Sequence, residues 1–482
     1  MISAPEAPRR EPARGITAGL LPSLGLFTTI TMVVGGVIGS GIFRKPGVMA
    51  FQLGSPQLLL GVWVLAGVMT LLGALTNAEI ASMIPETGGQ YIYFERMYGP
   101  FAAFLYGWAC FAVMQSGSIA AIAYVFAEYA GELVTLPQFP DALAQWAVHV
   151  PGIGDVAPLK DIGAKGLAAA LIVLLTAINI FTVTKVAAMG LLVLGAFLLP
   201  TGGRVANLTN GSSVIHLHGL ALVAAIAAAL QGAFWAYDGW NKLTYIAGEV
   251  KEPQRNIPRG LIFGMLIVTA IYLLMNLAYS YVLPIDTMAQ SKLVAADVAE
   301  KCFSGGGRWI AVGVMISTFG TANATILATA RLYFSMAQRN VFPRCIGRAH
   351  PRFHTPGASL LVQGLWSVLL LFSGTFDTLT DTLIFVSWVF YAAGAFGVFV
   401  LRRKEPAASR PYKVPGYPWV PWIFVLFAIL YLVSTIYNDL LGYHVAKAAG
   451  KPAMINSAFG AVLVLIGAPI YFFYRRKGPV GA

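Results

Sequence analysis

The sequence is poor in charge: of 482 residues only 11% are Asp, Glu, Lys or Arg, against 57% hydrophobic. A soluble domain averages about one-quarter charged residues, so there is too little charge here to cover a water-facing surface. Cysteine is scarce too. Cys110, Cys302 and Cys345 show no metal-ligand spacing. The spans drawn below put them mid-membrane, outside and inside respectively, so neither a disulfide nor a metal site is expected. No nucleophile–base arrangement and no phosphate-binding loop is present, which argues against an enzyme, an ATP-driven pump or a bound cofactor. The alternating segments of about ten residues that mark a membrane β-barrel are also missing.

What is present is length without charge. Apolar runs recur from Leu20 to Tyr474, many of about 20 residues, enough to cross the hydrocarbon core of a lipid bilayer. The expected fold class is an all-α polytopic membrane protein. Twelve transmembrane helices are the best parse, near 20–52, 57–83, 100–130, two within 167–199, 219–247, 260–283, 309–337, 358–374, 380–401, 419–437 and 453–474. The run Leu167–Leu199 has no polar turn, and as one helix it would be about 50 Å long against a core of about 30 Å. Two short crossings turning near Asn179–Thr184 keep its flanking loops on one side. Residues 1–19, rich in Pro, Ala and Arg, read as a disordered tail.

The formal charge of +12 does not imply nucleic acid, because the basic residues lie in short loops beside apolar spans. Twenty of the 32 fall in the two tails and in alternate loops, against eight on the opposite side: Lys160, Lys165, Arg204, Lys292, Lys301, Arg308, Lys447 and Lys451. That bias puts both termini in the cytoplasm of a cell carrying the protein in its inner or plasma membrane.

Two spans are interrupted. The first holds Val34-Gly35-Gly36-Val37-Ile38-Gly39-Ser40-Gly41-Ile42-Phe43, and glycine costs a helix interior about 1 kcal/mol each. The sixth holds Phe234-Trp235-Ala236-Tyr237-Asp238-Gly239-Trp240-Asn241, with a turn dipeptide and an ionisable residue at mid-membrane depth. Each break opens a block of five spans. Five is odd, so the second block enters the membrane inverted, and paired broken helices point to a transporter's central site. The core is then 20–401, with repeats at about 20–199 and 219–401, followed by two helices and a cytoplasmic C-terminus in 402–482.

Broken helices free backbone groups: amides where the second half of span 1 begins, carbonyls where the first halves of spans 1 and 6 end. A zwitterionic amino acid fits both. Its carboxylate would meet the amides of Ser40, Gly41 and Ile42, and its ammonium the carbonyls near Val37, Ile38, Phe234 and Trp235. The candidate substrate-binding set is thus Val37, Ile38, Gly39, Ser40, Gly41, Ile42, Phe234, Trp235, Ala236, Tyr237, Asp238 and Gly239. Close packing of small residues is the other reading of the glycines. For Asp238, a cap on the helix that follows stands beside substrate contact.

These segments resemble the amino acid–polyamine–organocation superfamily, specifically its L-type amino acid transporter branch. The resemblance rests on Val37–Phe43, Ala78-Glu79-Ile80 through Gly88-Gly89-Gln90-Tyr91, Trp235–Asn241, Gly248-Glu249-Val250, Pro253–Pro258, Ala330-Arg331-Leu332-Tyr333 and Leu401-Arg402-Arg403. It implies a ten-helix inverted-repeat core with two added helices, working by alternating access, and makes Trp235 an aromatic gate over the substrate. It also implies that Lys185 stands where sodium-coupled relatives bind a cation; snorkelling to the interface is the other reading of that lysine. Cys302 does not match the position of the cysteine that links some relatives to a single-span partner, so no disulfide-linked subunit is expected.

The expectation is a sodium-independent exchanger or facilitator of small to medium neutral L-amino acids. Proton-coupled or cationic amino acid uptake is the alternative within that class, and a channel or membrane receptor the alternative outside it. Glu79 and Arg331, near the cytoplasmic ends of their spans, are expected to pair with other charges or loop backbone, in gating or folding, rather than touch substrate.

Overall fold

The computed structural model describes residues 24–86, 88–178, 203–339, 341–348 and 355–476. In chain order its main helices are α1 (Leu26–Val37), α2 (Gly41–Leu53), α3 (Pro56–Met83), α4 (Gln90–Tyr98), α5 (Pro100–Ala130), α6 (Ile162–Ile178) and α7 (Gly219–Tyr237). A single turn, α8 (Lys242–Tyr245), leads to α9 (Pro253–Val282), the short α10 (Ile285–Gln290) and α11 (Val294–Cys302), then α12 (Gly306–Gln338) and α13 (Gly357–Leu371). The last are α14 (Phe376–Lys404), α15 (Trp419–Ala448) and α16 (Asn456–Tyr474). The strands among the described residues are a hairpin ribbon, β1 (Val148–Val150) antiparallel to β2 (Gly154–Val156).

Eight of these helices are long and apolar enough to cross a membrane, and α1 with α2 makes a ninth candidate bent by 43°. The apolar helices α6 and α13 are shorter. The second of the two crossings expected within 167–199, its expected turn near Asn179–Thr184 and Lys185 lie outside the described residues, as does the tail 1–19.

Helix starts follow their local chemistry. Ser55 caps α3, its side chain accepting from the Leu58 amide at 3.3 Å, with Pro56 in the first turn. Thr375 does the same for α14 at 3.4 Å, and Arg402, Arg403 and Lys404 close that helix at the end that favours positive charge. That cap starts α14 at Phe376, several residues before the apolar run; hydropathy misses a first turn that contains Asp377. The segment before Pro100, expected as loop, contains α4, whose Tyr91, Tyr93, Phe94 and Met97 are buried.

Inside α5 the residues Cys110–Met114 widen into a π-helical turn. Such a turn loosens the backbone ladder, and other helices complete it. The Tyr333 hydroxyl donates to the Cys110 carbonyl at 3.1 Å, and the Trp366 indole to that of Ala112 at 2.9 Å. The most extensively packed pairs are α3 with α9, α5 with α12, α1 with α9 and α2 with α7. The two interrupted helices therefore lie in the middle of the bundle. On α15, by contrast, Leu426, Leu430, Val433 and Tyr437 are exposed, an apolar outer face suited to lipid.

Candidate functional site

Both breaks expected from the sequence are present. Helix α1 stops at Val37, Ile38 turns extended at ψ 100°, and α2 restarts at Gly41 after Ser40. Helix α7 stops at Tyr237, Asp238 is extended at ψ 152°, and Gly239 takes φ +104°. That value is in the left-handed half of backbone space, which glycine reaches without a steric cost. The residue capping α8 is Asn241, and it does so without a side-chain bond. Asp238 instead accepts the Tyr391 hydroxyl on Oδ1 at 2.6 Å.

The two breaks press on each other. A Cβ on Gly41 would lie 2.5 Å from Ala236 Cα, and one on Gly239 would lie 2.5 Å from the Gly36 carbonyl oxygen. Close packing thus accounts for Gly41, but it does not account for Gly35, which has nothing within 4 Å. A single hydroxyl ties the breaks together. Tyr272 of α9 is fully buried, and its OH stands 3.1 Å from the Val37 carbonyl and 2.8 Å from that of Ala236. Thr321 of α12 donates to the Ile38 carbonyl at 3.0 Å.

Where the breaks meet there is a cavity of about 10 Å³, room for about one water. Gly39, Ser40 and Gly41 line it from the first break, Trp235, Asp238 and Lys242 from the second, and Ser118, Ile122 and Thr321 close it. The amides of Phe43 and Arg44 bond back to the Ser40 carbonyl, both at 3.2 Å; those just before them are the open donors at the start of α2. Two buried side-chain atoms here have no partner among the described residues, Ser40 Oγ and Trp235 Nε1. Buried polar atoms are normally paired, and these two are open to a polar partner.

The expected residues divide. Val37, Gly39, Ser40, Gly41, Trp235 and Asp238 line the cavity. Phe234 turns away to pack against Trp388, tilted at 4.0 Å, and Tyr431, edge-on at 5.0 Å, and Tyr237 reaches the Trp63 carbonyl at 3.3 Å. Ile42 is fully buried, Ile38 acts through its carbonyl, Ala236 through its contact with Gly41, and Gly239 through its turn. The sequence reading passed over two residues here. Lys242 was visible as an ionisable residue inside an apolar span; Tyr272, a tyrosine in a long apolar helix, gave no signal.

A profile of the family described as amino acid permease matches residues 24–466. The chain belongs to the amino acid permease family. Its relatives include the serine/threonine exchanger SteT of Bacillus subtilis, 29% identical over 95% of this chain and 98% of that one. The b(0,+)-type amino acid transporter 1 of Homo sapiens is 30% identical, covering 89% and 86% respectively. The Asc-type amino acid transporter 1 of Mus musculus is 31% identical, covering 95% and 82%.

In this permease the cavity is closed toward both ends of the bundle. Toward one end, Trp235 meets Phe376 edge-on at 6.0 Å, and that ring lies beneath Lys45 Nζ at 4.9 Å and the Arg44 guanidinium at 5.6 Å. Lys45 pairs with Asp377 at 2.7 Å and Arg44 with Glu128 at 3.0 Å. Beyond this cluster opens a vestibule of about 620 Å³. Toward the other end, Glu79, 1% exposed, takes a two-pronged bond from Arg402 at 2.9 and 2.7 Å and the Val414 amide at 2.8 Å, with Arg410 at 3.5 Å. Arg331 pairs with Glu249 at 3.4 Å, so both residues are held by other charges, as expected. The chain before α1 is bridged to the loop after α8: the Leu24 amide donates to the Glu249 carbonyl at 3.0 Å, and the Lys251 amide to that of Leu24 at 2.9 Å.

Proposed function

We propose that this permease is a sodium-independent exchanger or facilitator of small to medium neutral L-amino acids, working by alternating access. The observation that carries this reading is the closed cavity between the two helix breaks, lined by the start of α2 and by Ser40 and Trp235, whose Oγ and Nε1 have no partner among the described residues. An amino acid carboxylate suits the α2 start, and an ammonium suits the carbonyls now held by Tyr272 and Thr321. Its relatives include a serine/threonine exchanger and two amino acid transporters, which supports amino acid transport.

In this reading 20–401 is a ten-helix core of two inverted repeats, both termini are cytoplasmic, and the protein sits in the inner or plasma membrane. The Glu79 cluster is then the cytoplasmic closure and the Arg44–Lys45–Asp377 cluster the external one. A cavity with room for one water cannot hold an amino acid, so loading requires one of these closures to part while the other holds. Trp235, under Phe376, is the gate on the external side. Lys185 supplies the fixed positive charge that replaces a coupling cation. On this reading no disulfide-linked subunit is expected, because Cys302 does not match the position of the linking cysteine.

Purified protein in liposomes loaded with unlabelled amino acids, and offered labelled ones outside, tests the reading. Uptake accelerated by internal alanine or serine, and indifferent to replacing sodium with choline, is expected. Protein that accumulates and exchanges no amino acid would refute it.

A further inference from the structure

Lys242 lies in the central cavity and has no task in the reading above. It is the first residue of α8 and 9% exposed. Its side chain folds back across the break: a Cβ on Gly36 would be 3.9 Å from its Cδ, and one on Gly239 would be 3.2 Å from its Nζ. The ammonium donates to Thr325 Oγ1 at 2.9 Å, whose own proton goes to the Thr321 carbonyl at 2.8 Å. An ammonium has three donors, and with one bonded among the described residues two remain at the cavity wall. Asp238, the other charge lining the same cavity, is bonded to Tyr391. Charges this deep in a membrane protein are costly and mark function.

The geometry points to Lys242 as the residue that decides which side-chain charge the site accepts, with Asp238 as its counterweight. This inference rests on the amino acid reading above. The α-ammonium and α-carboxylate are common to every amino acid, so the walls discriminate through what is left. With one positive and one negative group on the wall, the site carries no net charge, which suits an uncharged side chain, and one bearing an oxygen finds the spare Lys242 donors. A cationic side chain meets the Lys242 ammonium at close range in a water-poor cavity, where like charges repel far more strongly than in water. Selectivity of this kind comes from the repulsive element as much as from the attractive one.

Exchange in liposomes is measured for wild type, Lys242→Gln, Lys242→Arg, Asp238→Asn and the Lys242→Gln/Asp238→Asn double variant, with alanine, lysine and glutamate as substrates. The readout is the ratio of each charged substrate to alanine within one preparation. Lys242→Gln is expected to raise the lysine ratio about tenfold or more, and Lys242→Arg to leave it at the wild-type level. Asp238→Asn is expected to raise the glutamate ratio, and the double variant to cancel both gains. A lysine ratio unchanged in Lys242→Gln overturns the inference, as does a glutamate ratio unchanged in Asp238→Asn. Where a variant binds but does not turn over, thermal stabilisation of the detergent-solubilised protein by lysine against alanine gives the same comparison. Wild type that exchanges no amino acid fails the underlying reading; wild type that exchanges alanine beside variants with unshifted ratios fails this inference alone.

Discussion

Replacing Gly41 with alanine adds one methyl group where the two breaks touch. In the middle of a helix that change favours the helix by about 1 kcal/mol. Here the new Cβ would lie 2.5 Å from Ala236 Cα, 2.6 Å from its Cβ and 3.0 Å from its amide nitrogen. Carbon atoms in contact rest about 3.5–4.0 Å apart, so α2 and the end of α7 must separate by about 1 Å. The obstruction is backbone, which cannot swing aside as a long side chain does. Overpacking of this kind costs about 1–3 kcal/mol or more. At a net loss of about 2 kcal/mol the closed arrangement becomes roughly thirtyfold less populated. Exchange in liposomes, normalised to inserted protein, is expected to fall by at least tenfold, together with a lower melting temperature in detergent. Gly35→Ala makes the same chemical change with nothing within 4 Å and is expected to leave both readings near wild type. Adding Ala236→Gly restores Gly41→Ala only in part, because Ala236 Cα, not its methyl, is the nearest atom. Gly41→Ala with exchange within twofold of wild type would refute the claim that the breaks close directly on each other.

Tyr272→Phe removes the hydroxyl shared by the Val37 and Ala236 carbonyls; the loss of about 1–3 kcal/mol at buried acceptors is expected to lower the exchange rate more than expression, read as transport per inserted molecule. Glu79→Ala leaves Arg402 and Arg410 facing each other without their carboxylate, a loss of about 3–5 kcal/mol for a buried pair broken on one side, seen as aggregation in size-exclusion chromatography; wild-type behaviour would contradict it. Lys185→Ala is expected to change the sodium or proton dependence of uptake, and unchanged dependence removes the coupling role. At the ribbon, the bonds from His149 and Lys447 hold the Asp155 carboxyl down at about 2 against 3.8. The carboxylate therefore contributes its stability at pH above about 4 and loses it as pH falls toward 2. Hydrogen exchange should show the contact of β2 with Ala453 loosening over that window, and Asp155→Asn should abolish the pH dependence.

Much of the fold was legible because the membrane imposes it. A chain with 11% charge can satisfy its backbone in lipid only as helices or a closed barrel, and its runs had the helical length. The breaks were legible for a related reason: Gly39-Ser40-Gly41 and Asp238-Gly239 are expensive to place in mid-membrane, so their presence calls for a use. Boundaries were less legible where a polar first turn was helical, as at Phe376 with its Thr375 cap, or where a helix outran its apolar stretch, as α15 does to Ala448.

The sequence by itself determined that this protein is helical and membrane-spanning, that spans 1 and 6 are interrupted, and which residues sit at the interruptions. Each of those follows from local composition along one stretch of chain. Only the tertiary structure decided that Gly41 lies against Ala236, that Phe234 and Tyr237 turn away while Trp235 and Asp238 face the cavity, and that Tyr272 joins the two breaks from a third helix. Those facts depend on rotation about the helix axis and on contacts between residues up to 235 positions apart, which a hydropathy pattern does not carry. Lys242 belongs to both: the sequence supplied a costly charge inside an apolar span, and the fold gave it Thr325, Asp238 and a cavity to act on.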